Sequence, residues 1–166
     1  MQFDLKNATL RIKDGSTPTA NYITVKFRDG TFTWSEKTPR EYLKDRGVLD
    51  GVRNGDQEPM DIKIDAAWER ITAGTGSGAT PTIRDALYKE GGAAAWESTD
   101  ADACAPYAVD LELRDVRGCG AEQDEIITFP DFRIENFNAD AKNGMLSIDG
   151  KCNAVHPTPV RQAQSS

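Results

Sequence analysis

The stretch Tyr22 to Glu36, Y-I-T-V-K-F-R-D-G-T-F-T-W-S-E, sets two alternating runs on either side of Asp29-Gly30. Asp-Gly between such runs is a strong short-range hairpin signal, because a type I′ turn needs positive φ at both central residues. A two-residue loop there would pair Phe27 with Phe32 and Val25 with Trp34 on one face, leaving Lys26, Arg28, Thr31 and Thr33 on the other. An isolated hairpin is marginal in water, so the rest of the chain must supply strands around those aromatics.

It does so repeatedly. Ala8 to Lys13 alternates Leu10 and Ile12 with Thr9, Arg11 and Lys13, and Asp14-Gly15 ends the run. M-D-I-K-I-D-A-A-W puts Met60, Ile62, Ile64, Ala66 and Trp68 on one face. Tyr107, Val109, Leu111 and Leu113 alternate with Ala108, Asp110, Glu112 and Arg114, which predicts a core face and an acidic face. Glu125 to Phe129 and Phe132 to Phe137 read as strand interrupted at Pro130, an edge or bulge position. Asn143-Gly144 then turns the chain into a terminal hairpin with Leu146, Ile148 and Cys152 facing one way. One helix is expected in T-P-T-I-R-D-A-L-Y-K-E-G-G: Thr82 and Asp85 form a capping box, Gly91 ends it, and Ile83, Ala86 and Leu87 make its apolar stripe. Ala93 to Trp96 is expected to pack beside that helix. Six to eight strands and one helix predict a mainly β fold, an antiparallel β-sandwich or small barrel with one flanking α-helix and extended loops or arms. Residues 1–155 form one domain.

Three stretches stand apart. Lys37 to Pro59 holds Pro39, Gly47, Gly51, Gly55 and Pro59 and reads as a long irregular loop, with E-Y-L-K-D-R-G able to form one helical turn closed by Gly47. Ala73 to Ala79, A-G-T-G-S-G-A, lies where a phosphate-binding loop could lie but lacks both the dinucleotide fingerprint and a following Gly-Lys-Ser/Thr, which leaves a linker. Residues 156–166 carry too little apolar content to pack and read as a flexible tail.

Charge narrows the function. The chain carries −7, and from Asp100 to Glu125 eight acids face only Arg114 and Arg117, which disfavours a protein that grips nucleic acid. Three cysteines without C-x-x-C spacing indicate neither a disulfide framework nor a zinc site, and Cys104 and Cys152 read as small buried residues. Asp4 and Lys6 occupy the place of a secretory apolar segment and no run reaches membrane-spanning length, so a soluble, unexported chain made in a reducing cytosol is expected.

Chemistry is sparse. The single histidine, His156, sits beside Pro157 in the tail, away from any nucleophile pattern. Asp110 and Glu112 lie two apart on one strand face and could bind Mg²⁺ or serve as acid and base, but strand alternation with a solvated outer face accounts for them equally. No catalytic residue, cofactor or metal is called for. A β-sandwich binding module, for carbohydrate or protein, is an alternative that would want exposed aromatics, whereas Phe27, Phe32, Trp34 and Trp68 alternate as core residues do.

The ordering of elements resembles a family. The opening strand, the F-R-D-G-T-F-T-W-S-E segment, the loop with D-R-G-V-L-D-G-V-R-N-G-D, the strand ending in Trp68, the T-P-T-I-R-D-A-L helix and the closing D-G-K-C-N-A-V-H-P look like a major tail protein, the tail tube subunit of a long-tailed bacteriophage. The related tube of type VI secretion systems shares that fold. The resemblance implies a structural virion protein, not an enzyme: hexameric rings stacked into a hollow tube, contacts with other tail proteins, and DNA passing through without specific binding. It implies a protein made in the host cytoplasm and placed in the virion tail, with no membrane partner. Lys37 to Pro59 and the termini are then the candidate arms, with Tyr42, Leu43 and Leu49 as inter-ring contacts. Asp110 and Glu112 become the candidate lumen-lining residues, whose charge reversal should leave the subunit folded.

Overall fold

The computed structural model describes residues 8–25, 27, 30–68, 80–115 and 124–162. The glycine-rich stretch at 73–79, together with Lys26, Arg28, Asp29 and Cys119, lies outside the described residues.

Alternating side chains form a ladder wherever one set can be buried. β1 (Ala8–Lys13), β6 (Met60–Ala67), β7 (Val109–Asp115) and β9 (Met145–Cys152) place Leu10, Ile12, Met60, Ile62, Ile64, Leu111, Leu113 and Ile148 in one continuous core. With β2 (Tyr22–Val25), β3 (Phe32–Ser35) and β8 (Asp124–Asp140) they form an antiparallel sheet in the order β2-β1-β7-β8-β9-β6-β3. The mainly β, antiparallel fold with one short helix is the expected one. Its ten described strands exceed the six to eight anticipated.

The Tyr22–Glu36 hairpin does not form. Val25 stands opposite Leu10 of β1, and Phe32 and Trp34 stand opposite Ile64 and Ile62 of β6, so β2 and β3 are the two ends of the sheet. The chain does reverse there, since the Gly30 N–H donates to the Phe27 carbonyl at 2.8 Å, but the turn joins two edges of one curled sheet and starts no ladder. Gly30 is needed for close approach: a Cβ on it would lie 2.0 Å from the Asp65 carbonyl oxygen of β6. The expected Phe27–Phe32 contact survives, with rings 6.5 Å apart and edge to face.

β8 is one continuous strand of 17 residues rather than two. Val109 pairs with Phe132 and Leu111 with Phe129, so Asp110 faces both Pro130 and Asp131, and the latter takes φ of 52°. The expected bulge thus falls on the residue that has no N–H to donate. Asp140 and Met145 close the β8–β9 hairpin as anticipated, with Gly144 at φ of 64°.

α1 (Ile83–Tyr88) has its capping box: the Asp85 N–H donates to Thr82 Oγ1, and the Thr82 N–H donates to the Asp85 carboxylate, each at 3.3 Å. It ends earlier than expected, at Lys89 in the left-handed conformation, while Gly91 opens a 3-10 turn at Gly91–Ala93. Ala86, Leu87, Ala93 and Trp96 are buried together against the sheet.

The stretch from His156 is not a loose tail: β10 (Thr158–Gln162) pairs antiparallel with Thr128 to Asp124 of β8. Backbone bonds to an open edge hold a segment whose side chains could not. His156 Nδ1 lies 2.9 Å from Glu36 Oε1.

Candidate functional surface

Lys37 to Pro59 is neither irregular nor helical. β4 (Arg40–Asp45) and β5 (Val48–Asn54) make a separate two-stranded sheet, joined at Arg46 and Gly47 with φ of 51° and 82°. Positive φ at both central residues is the geometry of a type I′ turn, placed at Arg-Gly rather than at Asp-Gly. Every residue of both strands is exposed, Tyr42, Leu43, Val48, Leu49 and Val52 included. A hairpin that buries neither face is marginal on its own.

Its two faces differ. Tyr42 stands opposite Val52 and Lys44 opposite Leu49, with a bulge after Leu43 that leaves Asp50 extra. Alternation therefore puts Tyr42, Leu49 and Val52 on one face between Arg40 and Lys44, and Leu43 and Val48 on the other with Glu41, Arg53 and Asp45. On that second face Glu41 and Arg53 are ion-paired. At the hairpin base the Gly55 N–H donates to the Pro39 carbonyl at 2.9 Å, and Lys37 reaches Asp61 at 2.9 Å and Glu58 at 3.7 Å.

The strand alternation around Asp110 and Glu112 is as expected, but their surroundings are not open. Glu112 is buried, 6% exposed, and its carboxylate is shared by Lys13 of β1 and Arg114 Nη2, the latter at 3.1 Å. Asp110 accepts the Asp131 N–H at 3.1 Å. Burial, with the Asp131 carboxylate adding to it, raises the Asp110 pKa against the opposing pull of that N–H, Lys13 and Thr99. Glu112 is thereby enclosed, whereas Asp110 is half-buried and keeps part of its surface in solvent. Cross-strand neighbours Lys13 and the bulge, invisible to the periodicity of one strand, are the reason.

Other acids of the acidic stretch are also committed. Asp100 accepts from Arg133 Nη2 at 2.7 Å and from the Asp102 N–H at 3.0 Å, and these two bonds, the second first in size, hold its pKa low. Among the described residues no group of His, Cys, Asp and Glu is arranged to hold a metal ion. Cys152 is buried and its thiol is pushed up to about 12 by burial and by Asp110 and Asp131, but Cys104 is exposed, against expectation. Trp34 also departs from expectation: 37% exposed at the sheet edge, it lies edge-on to Phe129 with centroids 5.1 Å apart and points Nε1 toward Glu36.

A groove of about 400 Å³ opens at the other end of β3 and β6, where the β8–β9 turn lies. Ala139, Met145 and Leu146 line it, with Asp65 and Asp140 among its polar residues. Asp140 accepts from the backbone of Lys142 and from Asn143, while Asp65 accepts from Thr31 Oγ1 at 3.1 Å.

No family model matches this chain, and no curated protein aligns with it significantly. Of the surface features, Tyr42, Leu43 and Leu49 were legible as residues of a segment set apart from the core, and all three are exposed. Val48 and Val52 were missed as its partners, although V-L-D-G-V after R-G carries the signal of a returning strand.

Proposed function

We propose that this chain is a self-assembling structural subunit, the tail tube protein of a long-tailed bacteriophage, which forms hexameric rings stacked into a conduit for the genome. The observation that carries the reading is the hairpin of β4 and β5. Five large apolar side chains stand exposed on it, on a protein whose core is otherwise well enclosed. Apolar surface of that extent is retained where another protein covers it. A structural role also accords with carboxylates committed to ion pairs and backbone N–H groups instead of to a reactive centre. The net charge of −7 favours a conduit that does not retain DNA, since like charge repels within the screening length of about 8 Å at physiological salt. Binding-module function would draw on Trp34, but its ring is packed against Phe129 and is no open platform.

Negative-stain microscopy of the purified protein, with sedimentation across concentration, tests the reading. Rings or tubes are expected. A species that stays monomeric at every concentration overturns it.

A further inference from the structure

The hairpin and the groove sit at opposite ends of the same two strands. β3 and β6 pair from Phe32 with Ile64 to Ser35 with Asp61. The chain enters β4 beyond Ser35 and returns from β5 before Met60, so the hairpin extends from the Ser35–Asp61 end. Thr31, Asp65 and Met145 mark the other end, where the groove opens. Four residue steps of β6, from Asp61 to Asp65, at roughly 3.3 Å each put the near edge of the groove about 13 Å from the hairpin's end of the strand. Every residue of the hairpin is exposed, so it does not cover its own groove.

We propose that the groove bounded by Asp65 and Asp140 receives the hairpin of a second copy of this chain, face Tyr42–Leu49–Val52 inward. The inference rests on the self-assembly reading and names the surface that the arm engages. Charge and polarity select the face: Arg40 and Lys44 flank the apolar triad and meet Asp65 and Asp140, while the triad covers Ala139, Met145 and Leu146. The opposite face carries one cation, Arg53, already paired with Glu41, together with the acid Asp45. A plug at one end and a socket at the other form a heterologous contact, which propagates from copy to copy instead of closing on a pair.

Two kinds of variant test this. Tyr42→Asp with Leu49→Asp spoils the plug, while Ala139→Trp, or independently Asp65→Lys, spoils the socket. All of these lie at exposed or half-exposed positions, and an unchanged far-UV spectrum and melting temperature show that each folds. Each alone should sediment as the smallest closed unit under conditions where the wild type grows longer. A mixture of plug-spoiled and socket-spoiled chains retains one good plug and one good socket, and should give a complex of twice that mass. Socket variants that elongate like the wild type overturn the groove assignment while leaving the tube reading standing. Folded variants that fail to combine on mixing overturn it too, and a wild type that never assembles overturns both.

Discussion

Phe32 on β3 and Phe129 on β8 lie with ring centroids 5.1 Å apart although two strands, β6 and β9, stand between them in the sheet. In a flat sheet three inter-strand spacings would separate their backbones by roughly 14 Å. The contact therefore exists only because the sheet curls on itself, and the aromatic pair marks where its two halves meet. Phe129→Ala should cost about 3–5 kcal/mol in chemical denaturation, the range for emptying a buried aromatic site. A loss below about 1 kcal/mol would mean that these rings do not hold the curl.

Glu112 gives a second prediction. Removing its charge leaves Lys13 and Arg114 facing each other, yet both cations keep some access to water. Glu112→Gln should therefore cost about 2 kcal/mol, less than the roughly 3–5 kcal/mol of a fully buried pair. Glu112→Lys, placed between two cations, should leave little folded subunit, contrary to what the periodicity of the strand suggests. A fully stable Glu112→Lys would restore the case for an outward acidic face.

Asp14 and Asp110 should move stability with pH in opposite directions. Asp14 is buried, which by itself would raise its pKa, but bonds from Ser16, Asn21 and the Glu97 N–H outweigh burial and lower it. Its contribution is thus present above the unfolded value near 3.9 and is lost as pH falls through the lower folded value. Asp14→Asn should cost about 1–3 kcal/mol at neutral pH, with the difference from wild type shrinking in acid.

Asp110, with its pKa raised, does the reverse: its ionised form is a cost absent below about pH 3.9 and fully present above the folded value. Asp110→Asn should leave neutral-pH stability unchanged or higher, because the amide oxygen still accepts the Asp131 N–H. Urea titrations at several pH values read both effects, and a large neutral-pH loss for Asp110→Asn would contradict the assignment.

Thiol labelling separates the two described cysteines. Cys104, exposed, should react with maleimide in the native protein within minutes, whereas Cys152, fully enclosed and with its thiol pushed up to about 12, should label only on unfolding. Peptide mapping after native labelling measures the ratio; comparable labelling would mean that the β8–β9 end of the core opens readily.

What the sequence by itself determined is what depends on near neighbours. Alternation in Ala8 to Lys13, Met60 to Ala67 and Met145 to Cys152 marked strands and their inward faces, since a period of two leaves each side chain only two directions. The Thr82–Asp85 capping box was legible because both partners lie within one turn of helix. The tertiary structure decided who pairs with whom. Asp29-Gly30 signalled a reversal, but whether the flanking strands join each other or the distant β1 and β6 depends on which arrangement buries more apolar surface over the whole sheet. The fate of Glu112 was set by Lys13, 99 residues away. β10 was hidden because its hold is made by backbone groups common to every sequence. The exposure of both faces of the β4–β5 hairpin was hidden for the converse reason: apolar residues in a strand look the same whether their cover comes from the same chain or from another.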